Sequence, residues 1–331
     1  EYWYEKMEID EYFKGYIEKA QFYNVFPRIP RGMYLNVSKA PLDNLDVRKG
    51  FAHALNFQKI NTVLYRGDAD RLKHFSEGFG RFSSTDIEPY EFSISKAQAS
   101  FKKAGYTESD SEGYLTKPDG TRLQIELSWG QYPIYDKMMA LLKEDAKKAG
   151  LEILLDSQQN TVYFRKILEK RHQVCFTGWG VTPPFPRYFG SFHSSNAFDK
   201  KGNVKQQTNN INVYANPEMD QMVETVRNAQ TVDEIEKAAK RAQEIAHEDV
   251  LFIPALKTAY IRMAYWNWIK WPQTKHYEFC TPNDYVPTES YLYWIDEDAK
   301  ARTLKAQRNG EPFPEQNHLY ELYRDGIPSL D

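Results

Sequence analysis

Residues 122–179, RLQIELSWGQYPIYDKMMALLKEDAKKAGLEILLDSQQNTVYFRKILEKRHQVCFTGW, carry the pattern that decides the fold. Residues 122–129 alternate apolar and polar side chains, the period of a strand with one face in a core. Residues 134–149 repeat their apolar positions at helical spacing and stop at Gly150, where a helix commonly ends in the left-handed region. A second strand is predicted over 151–156, a helix over 162–170 and a third strand over 173–179. Strand, helix, strand, helix, strand at these lengths reads as βαβ units. That gives a partly parallel sheet with covered faces and right-handed crossovers.

Upstream, Met7, Tyr12, Phe13, Tyr16 and Ile17 fall at helical spacing, so 7–20 is predicted helical. Pro27 and Pro30 interrupt regular structure after it, and 32–37 (GMYLNV) reads as a strand. Asn44 or Asp46 caps a helix with Val47, Phe51, Ala54 and Leu55 on one face. A further helix is expected over 95–103, stopped by Gly105. Downstream, 180–213 loses all periodicity and is rich in Pro, Gly, Ser, Asn and aromatics; so long a loop with so many rings reads as ordered and functional. Helices resume at 217–228 and 231–247, the second with Asp233 and Glu234 in its first turn. A buried strand is expected at 251–256. Residues 260–271 carry Trp266, Trp268 and Trp271, read as packing or a hinge-strand face.

At 331 residues the chain exceeds one ordinary core, and two domains are expected. The formal charge is 43 − 46 = −3, and no nucleic-acid-binding motif occurs, so a nucleic-acid partner is not expected. No run approaches the ~18 apolar residues of a membrane-spanning helix. The opening residues are not a signal peptide; they read as the start of a processed or truncated piece. Cys175 and Cys280 are the only cysteines and fit either an exported or a cytosolic protein. Two unpaired residues, at least one buried, is the preferred reading, with a disulfide as the alternative.

Catalytic and metal motifs are missing. There is no GxxxxGK[ST], HExxH, GxSxG or CxxC, and Gly78-Phe-Gly80 lacks both a third glycine and a preceding strand. Asp110 and Glu112 read as a solvated turn, and His247 as the C-terminal residue of a helix. No catalytic residue, metal ligand or cofactor is expected. A binding site remains. Ligands of open α/β sheets sit outside the carboxyl ends of strands, and Trp179 stands at such an end, with Trp129 at another. On the loop, Arg187, Tyr188, His193, Asn209 and Asn210 supply donors and acceptors. For each of these residues the competing reading is core packing or a solvated loop position.

Seven tracts in order resemble the family 5 extracellular solute-binding proteins, the peptide, nickel and oligosaccharide receptors of ABC importers. Residues 45–60 (LDVRKGFAHALNFQKI) resemble their "VRxAxxxAxDxxxI" helix, and 95–106 (SKAQASFKKAGY) their "KAxxLLxxAGY". Asp119-Gly120 with the strand after it resembles "DGxxLxL", 140–153 "LxxxLKxxGIxV", and 177–180 (TGWG) the "GW" strand end. Residues 214–223 (YANPEMDQMV) resemble "YxNPExDxLV", and 231–254 the long tract ending in "EDxPxIP". The likeness spans about 32–271. The aromatic-rich opening and residues 32–37 are closest to the peptide-receptor branch that includes the microcin C importer's receptor.

The resemblance implies an α/β fold of the periplasmic-binding-protein-like type II, two lobes joined by hinge strands, with most of lobe one missing from this chain. Residues 1–33 would end lobe one, 34–270 would form the ligand-binding lobe two, and 271–331 would return to lobe one. The implied function is capture of an oligopeptide or modified peptide in the periplasm or another extracytoplasmic space, by a monomer that delivers it to ABC transporter permease subunits. Trp179, Trp129 and the 182–210 loop would contact the ligand. Peptide receptors of the family carry an acid three positions after the GW tryptophan, for the ligand's α-amino group. That position is Thr182 here, and a hydroxyl is no counter-ion for an ammonium. Arg171-His172 resembles the basic residues some peptide receptors use for the ligand's carboxylate. The alternatives are an oligosaccharide receptor of the same family, which the aromatics favour, and an α/β hydrolase with an unrecognised site. A receptor domain fused to a regulator is a third.

Overall fold

The computed structural model describes residues 2–23, 29–179, 185–271, 293–321 and 323–324. The chain forms two compact units, residues 27–257 and residues 1–26 with 258–331.

The first unit is built on five strands: β1 (Arg31–Leu35), β2 (Gln124–Gly130), β3 (Glu152–Gln158), β4 (Val174–Gly178) and β5 (Phe252–Pro254). Their spatial order is β3-β2-β4-β1-β5. β2 runs parallel to β3 and β4, as the βαβ pattern predicts, while β1 pairs antiparallel with β4 and β5. The carboxyl ends of β2, β3, β4 and β5 therefore share one edge with the start of β1.

Among the described residues seven helices cover the sheet: α1 (Leu45–Ala54), α2 (Phe57–Leu64), α3 (Ile94–Lys103), α4 (Pro133–Lys148), α5 (Asn160–Leu168), α6 (Pro217–Asn228) and α7 (Val232–Glu248). Asn44 is the cap of α1; its Oδ1 accepts from the N–H groups of Asp46 and Val47. Thr231 and Glu234 close a reciprocal capping box at the start of α7.

Strand alternation separates two apolar clusters, one on each face. Met33, Leu35, Ile125, Leu127, Trp129, Val174, Phe176 and Ile253 point toward α1–α4. Tyr34, Cys175 and Phe252 point the other way, toward α5, α6 and α7. Both faces are buried, so a shift of one residue in register would exchange two filled cores.

The edge opposite the strand carboxyl ends is tied by amides. Asn36 Nδ2 donates to the carbonyls of Lys170 and His172, and Asn212 Nδ2 to those of Leu35 and Leu251. Lys170 Nζ donates to the Thr208 carbonyl at 2.6 Å, and His172 Nε2 bonds the Ile211 carbonyl at 3.0 Å. These bonds fix the far end of the 185–213 segment. That segment folds into a short helix (Phe189–Phe192), a 3-10 turn (Ser194–Asn196) and a bridge between Phe198 and Val204.

The second unit holds a three-stranded sheet in which Ile17–Tyr23 pairs antiparallel with Tyr260–Trp266 and parallel with Asn317–Tyr320. Two expectations change here. Residues 7–20 are not one helix: Asp10–Phe13 is helical, and a strand begins at Ile17. Gly15 turns the chain at φ +67, where a Cβ would meet the carbonyl oxygens of Phe313 and Pro314, and Ala20 and Phe22 then bury on alternate positions. The expected boundaries near 34 and 270 also move. Tyr34 lies inside the five-stranded sheet rather than in a crossing strand, and residues 260–266 pair with Ile17–Tyr23 rather than with the unit of 27–257.

Cys175 is buried and unpaired, and burial drives its thiol pKa far up. Cys280 and most of 271–331 before the helix Glu297–Asn309 lie outside the described residues.

Candidate functional site

β4 ends at Gly178, and Trp179 is the next residue. The parity of the strand puts Trp179 on the face of Cys175, where its half-buried ring packs against the cluster of Tyr34, Phe75, Tyr188 and Phe192. Tyr34 is fully enclosed, and its hydroxyl donates to the Pro30 carbonyl at 2.8 Å and lies 3.4 Å from the Trp179 carbonyl. Trp179, Tyr34, Phe75, Tyr188, Asn209 and Ile211 line a cavity of about 10 Å³, room for roughly one water molecule. Among the described residues the unit therefore presents a wall with an aromatic floor around that small cavity.

The expected contact residues occupy quite different places. Trp179 and Asn209 reach the wall, and Arg187 is exposed on the same segment. Trp129 is 3% exposed, inside the α1–α4 core, with its indole N–H donated to Asp136 Oδ1 at 2.7 Å. Tyr188 forms the floor rather than a surface: its hydroxyl donates to Ser76 Oγ and accepts from Gln243 Nε2. Asn210 is wholly buried; its amide donates to the His193 and Tyr214 carbonyls. His193 lies between Ser195 Oγ (2.8 Å) and Glu224 Oε1 (3.2 Å). The same Nδ1 takes the Ser195 backbone N–H, so His193 is the cap of the 3-10 turn. Thr182 lies outside the described residues. Arg171 is exposed and His172 fully buried at the amide-tied edge, away from the strand carboxyl ends.

On the α1–α4 face of the same edge lie residues that sequence reasoning missed. Arg31 opens β1; its Nη1 donates to the Tyr135 hydroxyl, and its guanidinium carbon lies 5.6 Å from that ring. Burial raises the Tyr65 pKa, opposed by the charge of Arg31 and reinforced by Tyr132. Arg71 belongs to a two-residue strand (Asp70–Arg71) that pairs with Leu256–Lys257 just beyond β5. The only sequence signal was a cation inside the apolar strand RGMYL.

In the other unit a cavity of about 400 Å³ is lined by Glu18, Tyr265, Trp271, Phe313, His318 and Tyr320 among others. The Glu18 carboxylate there already accepts from Tyr265 and His318. Among the described residues no group of three or more His, Cys, Asp or Glu could hold a metal ion, and no helix is long and apolar enough to cross a membrane.

The family model of bacterial extracellular solute-binding proteins, family 5, matches residues 10–201. A dipeptide-binding protein of Escherichia coli is 22% identical over 226 residues, covering 68% of this chain and 39% of its own length. The structure of an oligopeptide-binding protein from Bacillus subtilis, solved with a nonapeptide, superposes with a TM-score of 0.68 at 17% identity, over 85% of this chain and 52% of the other. A periplasmic oligopeptide-binding protein from Thermotoga maritima, solved with mannohexaose, gives 0.61 at 18% identity, over 75% and 47%. The chain thus spans about two fifths to a half of these relatives. The fold is that of the type II periplasmic binding proteins. The chain belongs to the bacterial extracellular solute-binding proteins, family 5.

Proposed function

We propose that this chain is part of the receptor component of an ABC importer, capturing an oligopeptide outside the cytoplasm and passing it to permease subunits without chemical change. The observation that carries the reading is the half-buried Trp179 at the end of β4, over a floor of Tyr34, Phe75 and Tyr188. An indole in that position offers a broad apolar face, and the strand ends around it offer backbone groups, the combination a peptide chain needs. Family membership and the peptide names of the curated relatives support the same reading. His193 Nδ1 is occupied by the Ser195 backbone N–H as a turn cap, which speaks against a hydrolase built on Ser195, His193 and Glu224.

An acid at residue 182 would anchor a peptide's ammonium, and Thr182 cannot. Affinity must then rest on backbone, apolar and carboxylate contacts. An oligosaccharide receptor is the second reading, favoured by the aromatic wall and by the mannohexaose complex of the relative.

Thermal unfolding of the whole protein with mixed tripeptides, and separately with mixed oligosaccharides, tests the proposal. A ligand at a hundred times its Kd adds about 2.7 kcal/mol of stability. A rise with peptides that Trp179→Ala abolishes, with unliganded stability kept, is the expected result. A rise with sugars alone would overturn it.

A further inference from the structure

Gln243 is an amide in the middle of an apolar helix face. It lies wholly buried on α7, close in sequence to Ala239, Ala242 and Ala246, which belong to the cluster under Trp179. Packing of α7 asks for nothing polar there, and an unpaired amide in that place would be costly. Every polar atom of the side chain is nevertheless used. Nε2 donates to the Phe82 carbonyl at 2.7 Å and to the Tyr188 hydroxyl at 2.9 Å, and Oε1 accepts the Ser84 N–H at 2.8 Å. One side chain thus joins three stretches of chain: α7, the loop 74–84 and the segment 185–213.

The loop 74–84 is tied together before it meets Gln243. His74 Nε2 bonds the Ser84 carbonyl at 3.0 Å and its Nδ1 accepts the Ser76 N–H at 3.3 Å. Ser83 Oγ donates to the Ser76 carbonyl and accepts the Phe79 N–H. The loop presents Ser76 Oγ, which accepts from the Tyr188 hydroxyl at 2.7 Å. The Tyr188 oxygen is therefore held from two sides, by a donor on α7 and an acceptor on the loop. That oxygen lies on the long axis of the ring, so the two bonds allow the ring to flip and prevent it from tilting. The ring meets Phe75 and Phe192 edge-on, with centroids 5.3 and 6.2 Å away, and lines the cavity of about 10 Å³ together with Trp179. With tilting removed, the cavity cannot widen on the Tyr188 side.

We propose that Gln243 is a positioning residue for the ligand wall: through the Tyr188 hydroxyl it fixes the floor beneath Trp179 and so limits the size of side chain the wall admits. This rests on the peptide-capture reading. Gln243 is buried and acts through a single hydrogen bond to the floor. A floor set in this way takes a methyl-sized group and turns away a branched one, because widening it breaks the Tyr188 bond to Gln243, to Ser76 or to both.

The test cuts the same link in two ways. Gln243→Met keeps an unbranched side chain and removes all three bonds. Tyr188→Phe removes only the hydroxyl and leaves Gln243 its bonds to Phe82 and Ser84. The full chain and both variants are labelled with fluorotryptophan, and the Trp179 fluorine resonance is assigned by its loss in Trp179→Phe. Each is titrated with Ala-Ala-Ala and with Ala-Leu-Ala, and the unliganded melting temperature is recorded. Without ligand, the Trp179 resonance is expected to move or broaden in both variants, while that of Trp129, in the α1–α4 core, stays. The unaltered chain binds Ala-Ala-Ala the more tightly, and each variant shrinks that preference roughly fivefold, the worth of one neutral hydrogen bond. An unmoved Trp179 resonance or an unchanged preference overturns the proposal, even where the melting temperature falls, and leaves Gln243 a structural cross-link. An unaltered chain that does not discriminate between the two peptides overturns it as well. If Gln243→Met does not fold, Tyr188→Phe carries both readouts. If neither peptide binds any of the chains, peptide capture is wrong, and the fluorine resonance alone decides whether Gln243 positions the floor.

Discussion

His172 shows how much a single buried side chain can dictate. It is fully enclosed, its Nε2 is bonded to the Ile211 carbonyl and its Nδ1 has no partner among the described residues. Burial first, then the charges of Lys170, Lys39 and Lys166, push its pKa from 6.5 down to about 3. The unfolded chain therefore binds a proton that the folded chain refuses between those two values. Stability is complete above pH 6.5 and is lost as pH falls toward 3, with a slope of up to about 1.4 kcal/mol per pH unit from this group. Urea titrations across pH 4–7 should show that slope in the wild type and a shallower one in His172→Gln; equal slopes would refute the assignment. Lys170, held down to about 8 by burial, acts in a separate window: stability rises with pH between about 8 and its usual 10.5. Neither effect was legible in the sequence, where Arg171-His172 resembled the basic residues that contact a ligand's carboxylate. The reason is positional, because only the completed sheet shows that His172 enters at the amide-tied edge. Trp129 and Trp179 were equally indistinguishable by spacing. What separates them is Asp136, one turn into α4, which accepts the Trp129 indole N–H and closes it inside.

At the scale of elements, the sequence was a better guide. The run from residue 122 to 179 folds as its periodicity predicts, because alternation and helical spacing report the same packing that the two cores demand. It failed at 7–20, where aromatic spacing suits either period and the turn at Gly15 depends on the distant backbone of Phe313 and Pro314. Within α1, Gly50 presents a sharper case. Alanine there would gain about 1 kcal/mol of helix propensity over glycine. A Cβ at that position, however, would run into the Phe101 ring of α3. Overpacking a filled core costs ~1–3 kcal/mol, so after the gain Gly50→Ala should lose a net ~1–2 kcal/mol. Chemical denaturation decides it, and a neutral or stabilising result would mean that α1 and α3 can separate freely.

For the whole molecule, both large apolar clusters draw only on residues between Met33 and Leu256. The unit of 27–257 thus carries its own core, and it should fold when expressed alone. Its urea transition should be single and cooperative, with a slope on the order of 2–3 kcal/mol per molar. A broad, non-cooperative transition would show that its strands need residues from the other unit. The two-domain expectation came from length and from the family resemblance, which set boundaries near 34 and 270; the strand pairing places them at 26 and 257. Sequence pattern gives the kind of element; which sheet an element joins is a long-range fact.

The five-stranded sheet keeps its structural amides at one edge and partly buried aromatic and basic side chains at the other. Asn36, Asn212, Lys170 and His172 hold backbone together at the first, and Trp179, Arg31 and Arg71 stand at the second. Substitutions at the first edge leave buried backbone carbonyls without their donors and cost folding stability. On the proposed reading, those at the second would alter what is bound and leave the scaffold alone. A lineage built this way can change its diet without rebuilding its frame, and its ligand repertoire can diverge faster than its fold.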